Sequence, residues 1–161
     1  MTGRMRVVVM GVSGSGKTTI GKLLAARLGC AFLDGDDFHP PENVAKMAAG
    51  TALTDEDRWP WLENLNRNLL QNQNAVLACS ALKESYRSVL SKGLPDCRFV
   101  HLRGSIKLIR ARLGERRHRY MPASLLESQF ATLEPPVGAL EVDIALAPAQ
   151  CVEAIACALG R

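Results

Sequence analysis

A short apolar run, Arg6–Met10, leads straight into Gly11-Val12-Ser13-Gly14-Ser15-Gly16-Lys17-Thr18, and no other feature restricts the chain as much. The octet fills every fixed position of GxxxxGK[ST], and Ile20, Leu23, Leu24 and Leu28 follow it at helical spacing. Strand, glycine-rich turn and helix in that order form a phosphate cradle. Glycines let backbone N–H groups converge on an anion, and the helix N-terminus adds the positive end of its dipole. Lys17 is placed to reach β- and γ-phosphates, and the Thr18 hydroxyl suits Mg²⁺. With Thr19 in the first helical turn, the motif predicts a nucleoside-triphosphate site over Gly11 to Thr19. It says nothing of a second substrate.

Beyond the motif, short apolar runs alternate with helical-period segments, the pattern of an α/β fold with a mainly parallel sheet. Strands are expected at Arg6–Met10, Cys30–Leu33, Ala75–Cys79, Arg98–Leu102 and Val142–Ala145. Helices are expected at Thr18–Leu28 (stopped by Gly29), after the Thr54 cap, and at Ser80–Ser91, Ser105–Arg117, Ser124–Leu133 and Pro148–Leu159. Behind Thr54, Asp55, Glu56 and Asp57 oppose the helix dipole, and Trp61, Leu62, Leu65, Leu69 and Leu70 mark an apolar face. Pro60 falls near the sixth helical position, so a kink or a late start is expected there. No repeat or linker interrupts the 161 residues, which suit a single domain over 1–161.

The bulk properties narrow the setting. Hydrophobic residues make up 47% and charged residues 22%, a globular composition. No apolar run approaches the roughly 18–20 residues of a membrane helix, and Val7–Met10 is strand-sized rather than a signal-peptide core. The net charge of +4 suits an enzyme for anionic ligands, and no basic stretch interleaved with aromatics supports a nucleic-acid partner. Five cysteines, an odd number with no CxxC pair and with apolar neighbours, read as buried reduced thiols of a cytoplasmic protein.

Asp34-Gly35-Asp36-Asp37 ends the second strand, at the carboxyl edge where open parallel sheets bind ligands. On an extended segment Asp34 and Asp36 face the same side, and Gly35 allows close backbone approach. One carboxylate then holds the metal's water shell while the other accepts a substrate hydroxyl proton. The bland alternative is a solvated turn capping a helix after Pro40, and it weakens beside a phosphate cradle.

The run Leu33-Asp34-Gly35-Asp36-Asp37-Phe38-His39-Pro40, with Asn43, Lys46-Met47 and Gly50, resembles the gluconate kinase family of thermoresistant type. So do Leu53-Thr54-Asp55-Glu56-Asp57-Arg58 with Pro60-Trp61-Leu62, Cys79-Ser80-Ala81-Leu82-Lys83 with Tyr86-Arg87, and Ser128-Gln129-Phe130 with Leu133-Glu134. The resemblance implies a P-loop kinase fold: a five-stranded parallel sheet flanked by helices, with a mobile lid at about 114–126. It implies ATP and Mg²⁺ as cofactors, D-gluconate as acceptor and 6-phosphogluconate as product, and a homodimer. Under it Lys17 and Asp36 are catalytic, Thr18 and Asp34 serve the metal, and Asp36, His39, Arg58, Lys83, Arg87 and Gln129 hold the substrate. A carboxylate with a chain of hydroxyls calls for such cations and amides, and arginine is its natural bidentate partner. Trp59 and Trp61 read as core.

Arg110, Arg112, Arg116, Arg117 and Arg119 crowd into ten residues, which reads as a solvated face or, with the resemblance, as a lid. Arg116 or Arg117 is then the group on the transferring phosphoryl, Arg112 stacks on adenine, and Pro148 lines the other side of that slot. Where relatives often carry Gly-His-Phe-Phe, this chain has Arg117-His118-Arg119-Tyr120-Met121-Pro122. Other readings are a kinase for another small hydroxy acid such as shikimate, and a non-catalytic nucleotide-binding module.

Overall fold

The computed structural model describes residues 5–115 and 126–161. Its five strands are β1 (Met5–Met10), β2 (Ala31–Asp34), β3 (Asn74–Ala78), β4 (Cys97–Arg103) and β5 (Leu140–Asp143). All pair in parallel, in the order β2-β3-β1-β4-β5. The helices are α1 (Lys17–Leu28), α2 (Pro41–Ala48), α3 (Asp55–Gln71), α4 (Glu84–Leu90), α5 (Ile106–Glu115), α6 (Leu126–Thr132) and α7 (Pro148–Ala158). The expected α/β architecture, a five-stranded parallel sheet flanked by helices, is the one observed. None of the helices is long and apolar enough to cross a membrane among the described residues.

β1 is the axis of the sheet. Its register sets Val8 against Leu77 on one side and Phe99 on the other, and Val7, Val8, Val9 and Met10 have no exposure. Alternation sends Val7 and Val9 into one core with Leu24 of α1 and Ile155 of α7, and Val8 and Met10 into a second with Leu62 and Leu65 of α3. Burial of each such aliphatic chain stabilises the fold by about 1.5–3 kcal/mol. Leu23 and Leu70, although in helical register, remain exposed.

Several local expectations need correction. α3 starts at Asp55 and not later: Thr54 Oγ1 accepts from the Asp57 N–H and Asp57 returns a bond to the Thr54 N–H, so the helix is nucleated ahead of Pro60. β5 lies two residues earlier than expected, because Asp143 Oδ1 accepts the Ala145 N–H at 2.9 Å and turns the chain. The thiols are free, but Cys157 is exposed and Cys30 and Cys97 are half-buried.

The segment after β3 differs most. Helix is expected from Ser80, yet α4 begins at Glu84, and Ala81 adopts φ 47°, which costs an L-residue about 1 kcal/mol. Its carbonyls serve tertiary partners: Ser80 O accepts the Gly11 N–H at 3.3 Å, and Leu82 O accepts the Glu134 N–H at 2.8 Å. Arg87 holds the loop from beneath. Its guanidinium, 4% exposed, donates to Ala81 O at 2.7 Å and Glu134 O at 2.9 Å and pairs with Glu84. Arg87, expected to bind substrate, is here engaged with main-chain carbonyls in a dry place and is not in the lining of the cleft described below. Arg87→Met should lower the unfolding free energy by about 2–4 kcal/mol in urea titrations. A change below ~0.5 kcal/mol would mean that the guanidinium does not hold this loop.

Candidate active site

Because every strand is parallel, the carboxyl ends of β1, β2, β3 and β4 lie along one edge, and the glycine turn leaves β1 there. Gly14 and Gly16 sit at φ 80° and φ 96°, where a side chain is strained, and a Cβ on Gly14 would lie 2.8 Å from Leu113 Cγ. The turn closes with the Ser15 N–H on Val12 O at 3.2 Å, and Lys17 Nζ folds back to the same carbonyl at 3.0 Å. Burial lowers the Lys17 pKa, opposed by the charges of Asp36, the Cys79 thiol and Asp34. An ammonium partly stripped of water gains most from an arriving phosphate.

At the end of β2 the two carboxylates do not share a face, contrary to the extended-segment expectation. Asp34 Oδ1 accepts the Asp36 N–H at 3.0 Å and starts a 3₁₀ turn over Gly35–Phe38. The turn sends Asp34 Oδ2 to the Thr18 hydroxyl, 3.4 Å away, and carries Asp36 round to the neighbouring cleft. Gly35 is required by contact, since a Cβ there would lie 2.7 Å from Ala78 O.

The polar lining of the cleft includes Ser13, Lys17, Asp36, His39, Arg58 and Gln129. The structure thus brings together, from four separate stretches of sequence, residues that were expected at the nucleotide and at its acceptor. Gln129 of α6, 8% exposed, accepts the Ser13 N–H of the glycine turn at 2.6 Å. Lys83 is not in the lining; its ammonium pairs with Asp55 at 3.1 Å, one step behind Arg58. Arg112 donates to Ile144 O at 2.6 Å, which ties α5 to the turn that leads to Pro148 at the start of α7. Arg116 and Arg117, like most of the expected lid, lie outside the described residues.

Two supports had no expected role in the sequence. Trp61 stacks on His39, ring centroids 4.0 Å apart and 16° between planes, and its Nε1 donates to Gly35 O at 2.8 Å. The core expectation for Trp61 is right and incomplete, because the same ring backs the cleft. Asn43 of α2, 2% exposed, donates its amide to Asp57 O at 2.9 Å and lies 3.3 Å from His39 Nδ1. The amide nitrogen can only donate, so His39 Nδ1 accepts and the ring proton sits on Nε2. That nitrogen faces Asp36 Oδ1 across 3.9 Å. The pairing is local, Asn43 and Asp36 lying four and three residues from His39, and the Asn43 bond to Asp57 O fixes the amide against α3.

Comparison with known proteins places these features. The family model described as shikimate kinase matches residues 13–131. A probable gluconokinase of Xenopus tropicalis is 48% identical, with 82% of this chain and 80% of the relative covered. A gluconokinase of Gluconobacter oxydans is 51% identical, covering 81% and 75%. The crystal structure of a gluconokinase from Sinorhizobium meliloti superposes with a TM-score of 0.91 at 42% identity, over 100% of this chain and 94% of that one.

Burial, and then the charge of Arg58, press the His39 pKa down to about 4, so the ring is neutral at pH 7 and donates from Nε2 as a neutral group. A pKa below the unfolded value near 6.5 means that the stabilisation is fully present above pH 6.5 and is lost as pH falls toward 4. The loss from this residue is on the order of 3 kcal/mol. In an NMR titration the His39 ring signals should hold their neutral shifts down to about pH 5. A midpoint near 6.5 would show that the ring is not desolvated.

Proposed function

The chain belongs to the gluconokinase family of P-loop kinases, and on that premise we propose that it transfers the γ-phosphoryl group of ATP to the 6-hydroxyl of D-gluconate. The observation that carries this reading is one cleft lined together by Lys17, Asp36, His39 and Arg58. The cation of the phosphate cradle and an arginine suited to a carboxylate share one cavity with a carboxylate and an imidazole N–H. This arrangement suits an acceptor with an acid at one end and a hydroxyl at the other.

In the proposed reaction the 6-hydroxyl oxygen bonds to the γ-phosphorus and the bond to the β–γ bridging oxygen breaks. ADP departs, and the hydroxyl proton passes to Asp36. The transition state is loose, so orientation of the hydroxyl matters more than base strength. His39 Nε2–H and Gln129 hold the sugar hydroxyls, and Arg58 takes the carboxylate. Thr18 and Asp34 present hard oxygen donors side by side, a set that fits Mg²⁺, which when bound neutralises charge on the phosphates. Arg112 and Pro148 would flank the adenine. Arg116 or Arg117 would supply the arginine on the transferring phosphoryl, a contribution of ~10³-fold or more in rate. Lys83 acts through its pair with Asp55 and not by contact. The free thiols agree with a reducing cytoplasm, and we carry the homodimer implied by the resemblance as part of the proposal.

An ADP-release assay over a panel of sugar acids, with shikimate and a no-acceptor control, tests the reading directly. Gluconate should give the highest kcat/KM. Preference for shikimate would favour the second reading, which the description of the matching family model suggests. Lys17→Ala should abolish turnover in a folded protein, because charge is lost where the β- and γ-phosphates lie. Near-normal activity would make the glycine turn vestigial.

Asp34 and Asp36 should separate in a Mg²⁺ titration. Asp36→Asn should cost ~10²-fold or more in kcat at an unchanged Mg²⁺ requirement. Asp34→Asn should first raise the Mg²⁺ concentration needed for half-maximal rate. The opposite pattern would exchange the two roles.

A further inference from the structure

Arg58 is useful to a carboxylate only if its fork is aimed and its charge is not already neutralised. Asp55 lies one helical turn away at the start of α3, the natural partner to neutralise it. The structure places a phenol between them. Tyr86 of α4, 1% exposed, accepts from Arg58 Nη1 at 3.0 Å and donates to Asp55 Oδ1. The direction is forced, since a guanidinium has no acceptor and the phenol has one proton. Burial, and then the hydrogen bond to Asp55, raise the Tyr86 pKa, so that proton stays in place.

The other hydrogen of Arg58 Nη1 goes to Leu53 O at 2.6 Å. Both hydrogens of that nitrogen are thus engaged, and the edge made by Nε and Nη2 remains for a second fork. Lys83 meanwhile satisfies Asp55 at 3.1 Å, which leaves the Arg58 charge as the excess. The Tyr86 ring is itself held: the Arg58 guanidinium lies 5.2 Å from its centroid, Lys83 Nζ lies 5.6 Å away, and the Trp59 ring meets it edge-on at 5.7 Å. Arg58 lines the cleft; Tyr86 and Asp55 do not.

We infer that Tyr86, backed by Asp55, is a positioning residue that aims the Nε–Nη2 edge of Arg58 at the acceptor carboxylate and keeps Arg58 from closing on Asp55. The inference rests on the proposed acceptor being a carboxylate. Without the phenol oxygen, Arg58 Nη1 loses an acceptor, and the guanidinium is free to pair with Asp55.

The test is a double-mutant cycle read in steady-state kinetics. Tyr86→Phe should raise the KM for gluconate about tenfold, with kcat and the KM for ATP within about twofold of wild type. In an Arg58→Ala background the same change should add nothing, because its effect runs through Arg58. Asp55→Ala, at a half-exposed position that need not disturb packing, should produce the same split and covers a misfolded phenol variant. Equal changes in kcat and both KM values, additive losses on Arg58→Ala, or no change would each overturn the inference. A wild-type enzyme silent toward gluconate would overturn the proposed function first, a result visible before any variant is made.

Discussion

The site hangs from β1. A strand with no exposed side chain between Val7 and Met10 is fixed in register by two parallel neighbours, and it delivers Gly11 beside Ser80, two residues beyond the level that Val9 shares with Ala78 and Asp34. Parallel pairing puts every carboxyl end on one side, so the residues after the strands must meet. Gly11 N–H on Ser80 O then couples the glycine turn to the loop after β3, and the buried Arg87 keeps that loop in shape. Two arginines close in sequence to the site thus divide the work. Arg87 satisfies carbonyls, whereas Arg58 retains a free edge toward the cleft.

The junction at Asp34 is the second determinant. One carboxylate has one oxygen on its own chain's N–H, which bends the backbone, and the other on Thr18, which joins the bend to the phosphate cradle. The bend separates the two acids into different chemical settings. Asp34 stands with the Thr18 hydroxyl at the glycine turn, and Asp36 stands with the His39 imidazole in the cleft. Had the segment continued as strand, both groups would have faced one way and competed for the same partner.

Electrostatics in the cleft follow from burial as much as from charge. His39, pressed between Trp61 and the α2 amide of Asn43, is neutral and so adds an N–H without repelling Arg58. Asp57, which caps α3, is held at about 2 chiefly by Lys46 and remains an anion in any ordinary buffer. The α2–α3 contact is therefore locked by charge as well as by the Asn43 bond. The side of the cleft that carries His39 rests on that contact.

The sequence by itself determined the strand–turn–helix phosphate cradle, the parallel α/β order and the acidic end of β2, because each is written in local spacing: glycines at fixed offsets, period-2 and period-3.6 apolar runs, a Thr-x-x-Asp cap. Resemblance added Arg58, His39 and Gln129 as substrate residues, and the fold gathers them into one cavity with Lys17 and Asp36. Only the tertiary structure decided that Arg87 faces inward, that Lys83 stands behind Asp55, and that Trp61 stacks on the His39 ring. Those outcomes turn on partners tens of residues away, such as Glu134 for Arg87 and Gly35 for Trp61, whose approach depends on how helices pack on the sheet. A side chain's residue type states which bonds it can make; packing chooses among them.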